Sequence, residues 1–335
     1  MNLVDDATQP SARRFVLGFF ATVLLGVTGF GAILAALDRV GMLPPPPLTA
    51  NACMDEKFKF LAERDLEGVD LIAVGSSVTW RNLDMAAFKR KGLADRPLNA
   101  APCYLHISET AYYAEFLLDH LPDVKTVVSV VAPRDFERCV APKDAFFSAS
   151  LAGAYLFAGM PAFPLYLLNF VPHKFIRDVF RIKQWRTDPN HAESMVMDEY
   201  GDGPLRTVTS WLFEPAVAAM CFEALAELER LVLARGAVLV VITFPLQPEW
   251  RSRYDPQGTF VKSFETRVRS ALTAPSTQFI SGSQEPSGPL LHADAVHYVW
   301  DSAVQYSARL ADAMAMPVHA RGSKSSSKAK SLKAP

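Results

Sequence analysis

Neither sign of charge dominates this chain: its 335 residues carry 34 Lys and Arg against 35 Asp and Glu, for a net charge of −1. Without a basic excess it lacks the electrostatic footprint that a nucleic-acid backbone attracts, so no nucleic-acid partner is expected. No glycine-rich phosphate loop is present, which removes the P-loop and dinucleotide signatures. Metal-ligand patterns are scarce too. His292, Asp294 and His297 form one short cluster with no second ligand group at suitable spacing, so neither a metal nor another cofactor is expected. Cysteine is limited to Cys53, Cys103, Cys139 and Cys221, which leaves one or two disulfides and four buried thiols both open.

What the chain has instead is apolar length. Phe15 to Leu37, "FVLGFFATVLLGVTGFGAILAAL", contains no charged residue. As a helix it covers roughly 30 Å of hydrocarbon. Secretory signals have a shorter apolar region, about 7–15 residues, ending at a small-residue cleavage site. This run continues straight into Asp38-Arg39-Val40 and reads as an uncleaved anchor at 15–37, with a cleaved signal as the alternative. Arg13 and Arg14 precede it and only Arg39 follows closely, so residues 1–14 are expected in the cytoplasm. The expected location is a bacterial inner membrane crossed once, with the bulk of the chain in the periplasm.

Residues 38–52 form a linker in which Pro44 to Pro47 predict a stiff polyproline II spacer, holding the folded part slightly off the bilayer. From 53 to 317, apolar runs alternate with helical patterns. Strands are expected at Asp70–Ser76, Arg96–Ala101, Lys125–Ala132, Ala237–Leu246 and Thr277–Ile280. Helices are expected over "ISETAYYAEFLLDHL", Glu214–Arg235 and Trp300–Met316. That alternation predicts an α/β domain with a doubly wound parallel sheet, where ligands sit beyond the carboxyl ends of the strands. An apolar insertion at about 140–213 interrupts it. Its stretch Ala145–Val171 is long enough to cross a membrane but is broken by Gly153, Gly159, Pro161 and Pro164. It reads as packed on the domain, with the bilayer or a membrane partner as alternatives. The tail 318–335 is basic, low in complexity and expected to be disordered.

Two short motifs carry chemistry. "AVGSSV" ends the first strand on Gly75, Ser76 and Ser77, and "HADAVHY" places Asp294 three residues before His297 ahead of the last helix. Serine chemistry needs a hydroxyl, a base for its proton, and a carboxylate that orients the base. A serine cap on the following helix and a structural histidine are the plainer readings of each motif alone. Arg81 or Asn82, just after the serine, is a further candidate for binding a sugar or acyl donor, and Trp250, after the fourth strand, for stacking on a sugar ring, with loop packing as its plainer reading.

Gly-Ser-Ser after a strand, with Asp-x-x-His before the final helix, resembles the SGNH (GDSL-like) hydrolase superfamily. More closely it is similar to the membrane-tethered members that O-acetylate bacterial surface polysaccharides, such as the alginate acetylation proteins. The resemblance implies a flavodoxin-like parallel sheet and a triad of Ser77, His297 and Asp294. Ser77 N–H, Ala101 N–H and Arg134 would hold the oxyanion, where the family has a glycine and an asparagine at the last two positions. Asn99 matches the asparagine of the second block and joins Arg81 and Trp250 as a substrate-binding candidate. Cys103 and Cys139, past strands that flank the first in the family's order, would pair at the rim. The implied activity is acyl transfer to a polysaccharide acceptor from a membrane-bound acyl-donor protein. An esterase of the same fold and a non-catalytic subunit of an acetylation complex are the alternatives.

Overall fold

The structure, a computed structural model, describes residues 12–282 and 290–315. The basic tail from 318 and most of the segment before residue 15 lie outside the described residues.

Five strands form one parallel sheet: β1 (Leu71–Ala73), β2 (Pro97–Asn99), β3 (Thr126–Val131), β4 (Val238–Thr243) and β5 (Gln278–Ile280), in the order β2-β1-β3-β4-β5. The central strands read "TVVSVV" and "VLVVIT" because both of their faces are covered by helices, so alternation with polar residues is lost. One face, including Ile72, Val127, Leu239 and Val241, packs on α2 (Ala52–Ala62), α5 (Ile107–His120) and α9 (Ala219–Ala234). The other, including Leu71, Ala73, Val128, Val130 and Val240, packs on α3 (Ser77–Asn82), α4 (Met85–Arg90) and α12 (Trp300–Ala315). Numbering the intervening helices in chain order gives α6 (Ala149–Phe157), α7 (Phe163–Leu168), α8 (Pro172–Thr187), α10 (Pro248–Tyr254) and α11 (Thr259–Ala271). The order of strands reverses between β1 and β3, and ligand crevices of doubly wound sheets open at such a reversal.

Before the domain runs α1 (Ala12–Arg39), a 28-residue helix long and apolar enough to span a membrane. Only Leu34 of this helix is buried. No second helix of that kind occurs among the described residues. The stretch Ala145–Val171 folds instead into the short helices α6 and α7.

Three expectations need correction. The prolines are not a free spacer, because Pro44 to Pro46 are buried under the insertion. Tyr166 Oη donates to Pro44 O at 2.5 Å and Asn169 Nδ2 to Pro47 O at 2.7 Å. The disulfides are Cys53–Cys103 and Cys139–Cys221, not Cys103–Cys139. The start of α2 packs beside the end of β2, and the start of α9 beside the chain leaving β3, so each cysteine past a strand end meets a helix instead of the other. Finally, residues 214–218 are not helical: α9 begins at Ala219, after Ala218 N–H has bonded Phe136 O at 2.7 Å.

Candidate active site

The site begins where β1 leaves the sheet. β1 and β3 stay paired to Ala73 and Val128, and Val74 N–H reaches Val128 O at 2.9 Å. Gly75 (φ +150°) then turns the chain into α3. A side chain there is impossible without rearrangement, because its Cβ would stand 2.1 Å from Thr79 Oγ1. That hydroxyl is close for a reason. Past the point of departure Val130 has lost its neighbour strand, and Thr79 Oγ1 replaces it, donating to Val130 O at 2.8 Å and accepting Val130 N–H at 3.1 Å.

The two serines divide the work that either could have done. Ser76 is the N-cap of α3: its Oγ accepts Val78 N–H at 3.1 Å and donates to Asp135 Oδ1 at 2.6 Å. Ser77, the first helical residue, is half-buried and makes no side-chain hydrogen bond among the described residues.

At its other end α3 holds the histidine loop. Asn82 Nδ2 donates to Val296 O at 2.9 Å, and Asn82 Oδ1 accepts Tyr298 N–H at 2.8 Å. The peptide groups on both sides of His297 are thereby fixed to the helix that starts at Ser77. His297 Nδ1 faces Asp294, at 2.9 Å from Oδ1 and 2.8 Å from Oδ2, while Asp294 also accepts Val296 N–H and His297 N–H. Burial alone would push the Asp294 carboxyl up. The charge of His297 and these hydrogen bonds outweigh it and hold the group below its ordinary 3.8. In the neutral ring, a carboxylate at Nδ1 places the single proton there and leaves the lone pair on Nε2. Nε2 is buried and has no hydrogen-bond partner among the described residues. A buried polar atom without a partner carries a desolvation cost, a state that Nε2 shares with Ser129 Oγ and Thr277 Oγ1.

Asp135 completes the group. It follows β3, accepts Ser76 Oγ and Ala132 N–H, and lies near enough to His297 to feel its charge. Burial raises it from 3.8 to about 6, and the two hydrogen bonds limit the rise.

The remaining candidates are placed elsewhere. Trp250 is fully buried, stacked 5.2 Å from Phe213 and donating to Phe213 O at 2.7 Å, so it belongs to the core and cannot stack on a sugar. Arg81 is buried with its guanidinium 3.7 Å over Trp80 and bonded to Gly203 O and Ser194 O; it ties the insertion to α3. Asn99 is buried as well, donating to Trp80 O and to Asp202 Oδ1, while its Oδ1 accepts Ala101 N–H at 3.2 Å. Ala101 N–H therefore already has an acceptor. Arg134 pairs with Glu137 at 3.3 Å and lies 4.8 Å over Trp211.

Several structural residues of the site had no readable signal. Thr79 looks like an ordinary helix residue and Lys57 like a solvated one, while Asn82, expected as a candidate for binding a sugar or acyl donor, instead holds the histidine loop. Yet Lys57 is buried beneath Asn99, donating to Asn99 O at 2.9 Å and Gly201 O at 2.7 Å. Its burial lowers the ammonium to about 7. The cavity of about 250 Å³ bordered by Pro44, Tyr166 and Lys174 is lined by none of the candidate residues.

Fold and site together define an α/β protein with one apolar N-terminal helix, carrying a half-buried serine at the reversal point of a parallel sheet and a carboxylate-held imidazole whose Nε2 makes no hydrogen bond to that serine. No family model matches this chain, and no curated protein matches its sequence.

Proposed function

We propose that this protein is an acyltransferase of the SGNH (GDSL-like) type, anchored in the inner membrane by α1 and facing the periplasm. It moves an acyl group, acetyl by the family resemblance, to a hydroxyl of an exported or surface polysaccharide. Ser77 Oγ attacks the carbonyl of the donor as its proton passes to His297 Nε2. The tetrahedral intermediate then expels the donor's leaving group, which takes that proton. The acceptor hydroxyl repeats the sequence in reverse, giving its proton to Nε2 and releasing Ser77. Asp294 orients the ring and stabilises the imidazolium. The oxyanion rests on Ser77 N–H; Ala101 N–H would join by leaving Asn99, and Arg134 through guanidinium N–H groups other than those of the Nη1 that bonds Glu137. The acyl-donor partner is a membrane protein. The observation that carries this reading is His297 Nε2, buried and unpartnered, while an ionised Asp294 holds the opposite nitrogen.

A non-catalytic role in an acetylation complex draws on one observation, that Ala101 N–H and Arg134 both have other partners. A fluorophosphonate probe followed by peptide mass spectrometry separates the two. Under the catalytic reading Ser77 is labelled and His297→Ala abolishes the label. A folded protein that takes no label at Ser77 removes that reading. If labelling succeeds, transfer from an activated acetyl ester to an oligosaccharide, compared with hydrolysis, distinguishes the transferase from an esterase.

A further inference from the structure

We propose that the exposed face of α7 and α8 is a second membrane contact that docks on anionic phospholipid, independent of what Ser77 does. Leu167, Leu168, Phe170, Val171, Ile176 and Phe180 are all exposed, the last at 76%. Outside α1 this is the densest run of exposed large apolar side chains among the described residues. Scattered surface apolar residues need no explanation, but a contiguous run of this kind marks an interaction surface.

Its position identifies the occupant. Phe30 of α1 packs against Phe170 at 5.2 Å and Phe163 at 6.4 Å, and Gly31 lies against the Phe163 ring. Phe30 stands nine residues before Arg39, or about 13 Å back along the helix. A hydrocarbon leaflet is about 15 Å thick. If α1 spans the bilayer, the residues packed on Phe30 lie at the level of the adjacent leaflet. Their outward side then meets lipid. The buried prolines and the bonds from Tyr166 and Asn169 fix this geometry, leaving no slack to lift the domain away.

Charge makes the same case. Ile176 and Phe180, one turn apart, are flanked on the exposed face of α8 by Arg177, Arg181 and Lys183. The only acid in α8 is Asp178, which is 1% exposed and paired with Arg177 and Lys174. A helix whose exposed apolar residues are bordered by Arg181 and Lys183, with Arg177 balanced by Asp178 and no acid exposed, suits the interface of an anionic bilayer, with the long basic stems reaching up to the headgroups.

The test uses the full chain in nanodiscs, with Phe180→Trp as reporter and the wild-type emission of the native tryptophans subtracted. Lys262→Trp, exposed on α11, serves as the solvent reference. In phosphatidylglycerol-containing discs the signal from position 180 should be blue-shifted and lose more than half its intensity to brominated lipid. The signal from 262 should be unaffected. Adding Arg177→Glu and Arg181→Glu should cut the quenching several-fold, with folding verified by near-ultraviolet circular dichroism. A solvent-like, unquenched tryptophan at 180 would overturn the proposal and leave the face for a protein partner, none being present in the discs. Quenching indifferent to the charge reversal would overturn its anionic part, and failure of the chain to enter discs would overturn it entirely.

Discussion

Thr79→Val tests how the site's floor is built. Val130 points its N–H and C=O toward β1, but β1 has already turned away at Gly75, and a single threonine hydroxyl satisfies both groups. Valine has the same shape and neither bond. Two fully buried main-chain groups would lose their partner, at about 1–3 kcal/mol each, and the additional buried methyl would return about 1 kcal/mol. The expected net loss is about 3 kcal/mol, a large part of the 5–15 kcal/mol typical of a folded domain. For a domain of this size it corresponds to a fall in melting temperature of roughly 6–12 °C. Thr79→Ser is the control: it keeps the hydroxyl and loses one methyl, at about 1 kcal/mol. Unfolding of the full chain in detergent, followed by the emission of the buried Trp80 and Trp250, gives the comparison. A valine variant as stable as the serine variant would refute the argument that the hydroxyl stands in for the missing strand.

Four other outcomes are expected. Asp294→Asn should slow probe labelling of Ser77 by about 10⁴-fold with little change in folding, because an amide N–H at Nδ1 moves the ring proton to Nε2. Arg134→Ala should cost less than tenfold in the same assay, since the guanidinium is engaged by Glu137 and Trp211; a loss of a hundredfold or more would identify it as an oxyanion donor. Asp135 binds its proton more tightly folded (about 6) than unfolded (3.8), so its contribution is complete below pH 3.8 and is lost as pH rises through 6. The difference is worth about 3 kcal/mol at 1.36 per unit, and Asp135→Asn should flatten the stability profile between pH 4 and 7 by about that amount. Replacing Cys139 and Cys221 by serine should cost about 4 kcal/mol in unfolding experiments, from the 82-residue separation that the disulfide closes.

The parts of this fold that could be read from the sequence are those governed by local pattern. The valine runs of β3 and β4 announce strands covered on both faces, and their alternation with helical patterns gives the parallel sheet. The turn at Gly75 and the short Asp294–His297 loop were visible for the same reason: each depends on residues close in sequence. What escaped depends on the irregular segment from Ser194 to Phe213, which has no period to read. It supplies the carbonyls that bury Arg81 and the one that receives the indole N–H of Trp250. Without those acceptors an arginine and a tryptophan near strand ends look like ligand-binding residues. The disulfides follow the same rule: helices α2 and α9 bring in the partners of Cys103 and Cys139, and no local pattern in the sequence reports that packing.

The insertion links the candidate site to the exposed apolar face of α7 and α8. On its inner side Ile182 and Trp185 of α8 join Met195 in a small cluster with Trp80, Ala101 and the Cys53–Cys103 pair. Trp80 lies in α3, one turn after Ser77, and its Nε1 donates to Gly201 O at 3.0 Å. On its outer side the same α8 carries Ile176, Phe180 and the exposed cations. The helix is clamped at its far end by Arg186, which makes two 2.7 Å bonds to Glu56 and one of 2.9 Å to Leu43 O. A rigid helix held this way cannot shift on a membrane without pressing on the packing around Trp80. Charge reversal at Arg177 and Arg181, far in sequence from Ser77, should therefore alter the labelling rate of Ser77 in anionic discs and leave it unchanged in detergent. Equal effects in both media would mean that α8 supports the site only as a static wall, with no influence from the bilayer.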